Sequence, residues 1–226
     1  MEEEKLENAP KFLRWKKALE ENKLQIHGIQ EHFTRRRYNG EVLFSMLTLD
    51  ATTPEGDKIP PVCFLKGEVV CVLVCLIDEE TQEKYVILVK QRRIAEGGYT
   101  YEHPAGMVDG SVSPIAIAVQ EVREETGVQI TEEELIVLGG GKRFFPSTGT
   151  SDEAMYFFAC EITLPLAKIK GYDQQNRGTD YEHERIITVV KPFEEAHTLI
   201  TNTNGLLLNF LYLQQVKDRV LWEKLG

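Results

Sequence analysis

Apolar and polar positions switch between two periods along this chain, and the switches mark its elements. Residues 10–22 carry Phe12, Trp15 and Leu19 at helical spacing behind Pro10, which predicts a short amphipathic helix. From residue 26 to 65 the pattern becomes strand-like. Val42, Phe44, Met46 and Leu47 lie in one strand, and Thr53-Pro54-Glu55-Gly56-Asp57 supplies a turn before residues 59–65. Residues 69–77 and 85–89 are two further apolar strands joined by a polar turn. A helix follows, with Ser113 as N-cap, Pro114 at its first position and Gly127 as terminator. Within it Ile115, Ala118, Val119 and Val122 recur at i, i+3, i+4 and i+7 and predict the buried stripe. Residues 136–138, 155–162 and 185–190 read as strands, and 193–200 and 206–222 as helices. The last is patterned at Leu207, Phe210, Leu211, Leu213 and Val216. Strands and helices mix without strict alternation, so the fold class is α+β, a layered domain on a mixed sheet.

Composition narrows the function classes. The net charge is −10, which argues against a surface that coats nucleic acid. No apolar run approaches the ~20 residues of a membrane span, so no membrane partner is expected. The start, Met1-Glu2-Glu3-Glu4-Lys5, is acidic, the opposite of a signal or transit peptide. Cys63, Cys71, Cys75 and Cys160 show no zinc-type pairing and read as buried reduced thiols. A cytoplasmic setting is the expectation.

The chemistry concentrates at the end of the central helix. Glu121, Glu124 and Glu125 project to a common side of an ideal helix, away from the stripe. Negative charges in a last turn oppose the macrodipole and repel one another at i, i+4. A solvated acidic helix end and a site for a divalent cation are both readings of that cluster. Hard oxygen ligands suit Mg²⁺, with Mn²⁺ as the alternative.

Upstream lies Glu102-His103-Pro104-Ala105-Gly106-Met107-Val108-Asp109-Gly110. Together with Gln120-Glu121-Val122-Arg123-Glu124-Glu125-Thr126-Gly127-Val128 it resembles the Nudix box: glycine, five residues, glutamate, seven residues, then Arg-Glu-apolar-x-Glu-Glu-x-Gly-apolar. Gly106, Glu121, Val122, Glu124, Glu125, Gly127 and Val128 fall in register. Val112 stands in place of the first glutamate and Gln120 in place of the arginine. Gln91-Arg92-Arg93, the Glu102-x-Pro-Ala-Gly run and residues 145–153 are similar to the ADP-ribose and ADP-sugar pyrophosphatase branch. Residues 10–15 and 143–155 look most like plant-type ADP-sugar diphosphatases.

The resemblance implies a Nudix fold, an α/β/α sandwich, over residues 67–226. An N-terminal helix and strand extension over residues 1–66 would help build a homodimer. It assigns metal ligation to Glu121, Glu125 and the Ala105 carbonyl, with Glu124 as a further ligand or orienter. A general base is expected from a late loop, where Glu182 is the first choice and Glu184 the second. Arg93 is open between holding a substrate phosphate by a bidentate contact and a solvated place at a strand end, and the Gln91-x-Arg93 match favours the phosphate. Glu102 is assigned to the substrate site, its target open between the base, a ribose hydroxyl and a metal. Phe144 and Phe145 are open between stacking on adenine and core packing. The activity implied is metal-dependent hydrolysis of an ADP-sugar, ADP-glucose or ADP-ribose, to AMP and a sugar phosphate. A UDP-sugar pyrophosphatase and a non-catalytic nucleotide-binding module are the alternatives.

Overall fold

The computed structural model describes residues 4–108, 110, 112–178 and 185–225. The chain divides into two compact units. The first takes Met1–Val69, Met107–Ser111 and Phe144–Met155, and the second takes Val70–Gly106, Val112–Arg143 and Tyr156–Gly226.

In the first unit, helix α1 (Pro10–Glu21) starts at Pro10, as its sequence predicts. It precedes an antiparallel sheet of β1 (Gln25–Arg36), β2 (Val42–Thr52) and β3 (Val62–Leu65), in that order. Phe12, Val42, Leu47 and Leu65 form a small apolar cluster with Leu6 and Ala9. The extension therefore has a small apolar core of its own. The buried Lys11 ties α1 down, its ammonium donating to the Leu43 carbonyl at 2.6 Å and the Lys66 carbonyl at 3.2 Å. Strand β1 is an edge, and most of its residues are exposed.

The second unit is organised by a sheet in which β4 (Glu68–Asp78) and β5 (Lys84–Arg93) are central and apolar on both faces. Its strands run β10 (Asn176–Arg177), β11 (Ile186–Pro192), β5, β4, β9 (Ala154–Leu164) and β8 (Ile136–Val137). Two short strands flank this path: β6 (Gly98–Glu102) pairs with β5, and β7 (Ala105–Met107) pairs with β4. Neither carries a legible strand pattern, because glycine, tyrosine and the Pro104 interruption break the alternation.

Helices cover both faces. Helix α2 (Pro114–Glu121) continues into a π turn at Val122–Thr126, which packs against β5, β10 and β11. The short α3 (Leu166–Gly171) was not anticipated. α4 (Phe193–Leu199), α5 (Thr203–Val216) and α6 (Arg219–Leu225) complete the chain. On β5, Lys84 points to the opposite face from Gln91 by strand alternation, and its ammonium lies 5.2 Å from the Tyr212 ring of α5. Arg177, which the β10–β11–β5 register turns away from Lys90 and so from Lys84, packs on Gly127 at the end of the π turn. So α5 and the π turn occupy opposite faces, giving the expected α/β/α sandwich.

Two helical stripes differ from expectation. In α2 the buried residues are Ile117 and Ala118, joined by Val122, Glu125 and Thr126 in the turn, while Ile115 and Val119 are half-buried. The wide turn adds a residue to one coil and rotates the residues beyond it. The run expected as one helix over 206–222 is two, because Lys217 adopts a left-handed φ of 58°. Its buried positions are Gly205, Leu208, Asn209, Tyr212 and Leu213, and Leu207 is exposed.

Candidate active site

The acid helix is started and stopped by the residues that the sequence singles out. Ser113 Oγ accepts from the Ala116 amide at 3.2 Å, and Pro114 occupies the first turn. Gly127 ends the π turn with φ 75°, donating its amide to the Arg123 carbonyl at 3.0 Å. Inside the turn the Thr126 hydroxyl bonds to the Val122 carbonyl.

The three glutamates do not share one side. Glu125 is 5% exposed, turned inward beside Val122, and its Oε2 accepts from the Ala105 amide at 2.9 Å. The Glu121 side chain lies over the Cα of Gly106, where a Cβ would meet its Cγ at 2.5 Å. Gly106 is therefore required by close approach: any side chain there would displace the carboxylate. Two acids one helical turn apart thus meet adjacent residues of β7. Glu124 is half-buried and its Oε1 accepts from Arg123 at 3.4 Å.

These donors suit a hard divalent cation. Mg²⁺ is commonly held by one or two carboxylates plus substrate phosphates and retained water. Glu121, Glu125 and the Ala105 backbone offer that kind of set. Among the described residues no three acidic, histidine or cysteine side chains converge on one metal position. Glu182 and Glu184 lie outside the described residues.

On the neighbouring hairpin, Arg93 donates to both Glu102 oxygens, from Nε at 3.0 Å and from Nη2 at 2.9 Å. Thr100 Oγ1 donates to Glu102 Oε1 at 2.6 Å. Arg93 and Glu102 therefore form a bidentate pair on the face that the π turn covers. Burial pushes the Cys71 thiol above its ordinary range. On the opposite face, His103 Nε2 hydrogen-bonds Asn209 Oδ1 at 2.9 Å, and Asn209 reaches His197 Nδ1 at 3.0 Å. This relay fastens the start of β7 to α5. Phe144 pairs with Met155 in a β-bridge, and Phe145 is 47% exposed.

Sequence reasoning missed Arg177. Its guanidinium packs on Gly127, where a Cβ would meet Cζ at 2.5 Å. An arginine in a polar stretch gives no signal of such a position; the β10–β11 register does.

The family model for the NUDIX domain matches residues 67–204. Over 164 residues the chain is 32% identical to Nudix hydrolase 14, chloroplastic, of Arabidopsis thaliana, covering 70% of this chain and 52% of that protein. Over 55 residues it is 40% identical to the ADP-sugar pyrophosphatase of Mus musculus, covering 24% of this chain and 25% of that protein. The chain thus spans about half the length of the first relative and a quarter of the second. A solved structure described as ADP compounds hydrolase superposes with a TM-score of 0.61 at 16% identity, covering 87% of this chain and 95% of that one. That likeness is one of fold. With the box residues in register and a domain match over most of the second unit, the chain belongs to the Nudix family.

Proposed function

We propose that this protein hydrolyses the pyrophosphate bond of an ADP-sugar, ADP-glucose or ADP-ribose, to AMP and glucose 1-phosphate or ribose 5-phosphate. The observation that carries the reading is the placement of Glu121 and Glu125 against Ala105 and Gly106. The names of the two sequence relatives support the substrate class.

In this reading Glu121, Glu125 and the Ala105 carbonyl hold a divalent cation, Mg²⁺ in the first instance. When bound, the cation screens the diphosphate charge and activates the attacking water. Glu124 orients the cluster from its outer side. A general base from the late loop, Glu182 or else Glu184, takes the proton of the water. Arg93 presents guanidinium donors toward a phosphate, and Glu102 holds Arg93 in place through its two hydrogen bonds.

The protein acts as a homodimer built on the N-terminal sheet. The support is the long exposed edge strand β1, with Phe33 56% exposed and its cross-strand partner Met46 38% exposed. The four cysteines are free and buried, which supports a reducing compartment such as the cytoplasm.

The test is a panel of ADP- and UDP-sugars assayed with Mg²⁺ and with Mn²⁺. Release of AMP from ADP-glucose or ADP-ribose supports the reading. Faster turnover of UDP-sugars moves the substrate class, and binding without turnover makes the chain a nucleotide-binding module.

A further inference from the structure

The sheet register brings a second arginine beside the acid turn. Arg177 pairs with Ile186, and the adjacent Ile187 pairs with Lys90. Side chains alternate along a strand and agree across a pair. Arg177 and Ile186 therefore face away from Lys90, on the side of Gln91 and Arg93, and of Thr100 and Glu102 across the β5–β6 ladder. This is the face on which the π turn packs, against β5, β10 and β11 together. Two strand spacings, about 10 Å, separate β10 from β5. Two arginine side chains extended from those strands can close on one diphosphate.

The Arg177 guanidinium is held by packing, with no hydrogen-bond partner for its Nε among the described residues. It lies on Gly127, where a Cβ would meet Cζ at 2.5 Å and Nη1 at 2.9 Å. Gly127 thus serves the left-handed turn and the seat of the cation at once. That Nε is buried away from solvent. Among the described residues no ion pair neutralises Arg177, although the chain carries a net charge of −10. Arg93, in contrast, already commits two donors to Glu102. A permanently charged fork, seated on Gly127 at the end of the acid turn, matches the oxygens of a phosphate.

We propose that Arg177 binds the substrate, taking one phosphate of the diphosphate across the sheet from Arg93. The proposal rests on the Nudix-hydrolase reading of the site. The competing role is a strut that supports the Gly127 cap, and the two roles differ in what removal does to the free protein. A strut contributes stability with or without ligand. A waiting anion ligand contributes when the anion arrives.

The experiment compares wild type, Arg177→Lys and Arg177→Ala by thermal unfolding and by calorimetric titration with α,β-methylene ADP in Mg²⁺, all titrations run well below the unfolding midpoints. The expected result for Arg177→Ala is affinity weakened at least about 10-fold, the scale of one charge-assisted hydrogen bond, with the midpoint of the free protein unchanged. Arg177→Lys keeps the charge and loses the fork, so its affinity falls between the two. Wild-type affinity in Arg177→Ala overturns the proposal, whether or not its midpoint drops, and leaves the reading of the site standing. A wild-type protein that does not bind the probe overturns the diphosphate reading itself.

Discussion

Glu125 is an acid that the fold buries and then compensates with a backbone amide. Its Oε2 accepts from Ala105 N–H, and its neighbour along the helix, Glu121, occupies the space that Gly106 leaves open. Replacing either acid by glutamine keeps shape and an acceptor oxygen but removes ligand charge. Turnover in Glu121→Gln and in Glu125→Gln should fall by at least about 100-fold, on the scale of losing a ligand or an electrostatic stabiliser. The unfolding midpoints should change little, because the α2 apolar face is untouched. Full turnover in Glu125→Gln would contradict the assignment. His103 makes a second prediction at this scale. It is 1% exposed, and burial pushes its imidazole down to about 4. In the unfolded chain the value returns to about 6.5. Between those values the unfolded chain binds a proton that the folded chain does not. Stability therefore drops as pH is lowered from about 6.5 to about 4, by about 3 kcal/mol in all. His103→Gln keeps a polar partner for Asn209 without the titration, so its midpoint should fall less steeply over that window; parallel curves would count against this. The acid cluster was visible in the spacing, while its reading as a metal site came from the box that surrounds it. Arg177 was not legible, since only strand register shows which way it faces.

The acid helix shows what a sequence can say about an element and what it cannot. Ser113, Pro114 and Gly127 announce its ends by local chemistry, and the structure uses all three. The change of period inside it has no such local marker. A straight α-helix sets all three glutamates on the solvent side, whereas the π turn sends Glu125 inward and leaves Glu124 outward. The same blindness made one helix of α5 and α6. Lys217 is not a residue that advertises a left-handed φ, although the capping bond from the Leu221 amide to Asp218 Oδ1, at 3.1 Å, is a recognisable restart. Ser113→Ala should lower stability by about 1 kcal/mol, since it leaves the Ala116 amide without its cap. For a chain of this size that is a midpoint shift of about 2–4 °C. An unchanged midpoint would mean that water replaces the hydroxyl at no cost.

At the scale of the molecule, the apolar strands β4 and β5 were legible because a strand buried on both faces is continuously apolar. The first unit was harder. Its later segments, Met107–Ser111 and Phe144–Met155, are far from the extension in sequence, and no periodicity announces that they join it. Its exposed strand β1 motivates an assembly prediction: light scattering should give twice the chain mass at micromolar concentration, and Phe33→Glu should shift that toward one chain. A monomeric wild type would rule out the dimer. Pyrophosphate hydrolysis by the acids set against β7 is put to the test by AMP release from ADP-glucose and ADP-ribose, for wild type and Glu125→Gln, with Mg²⁺ and after chelation. AMP should appear in the wild-type reaction with Mg²⁺ and vanish with the chelator, and Glu125→Gln should release it at least about 100-fold more slowly. Equal AMP release by wild type and Glu125→Gln, or release that survives chelation, would refute a metal-dependent role for these acids.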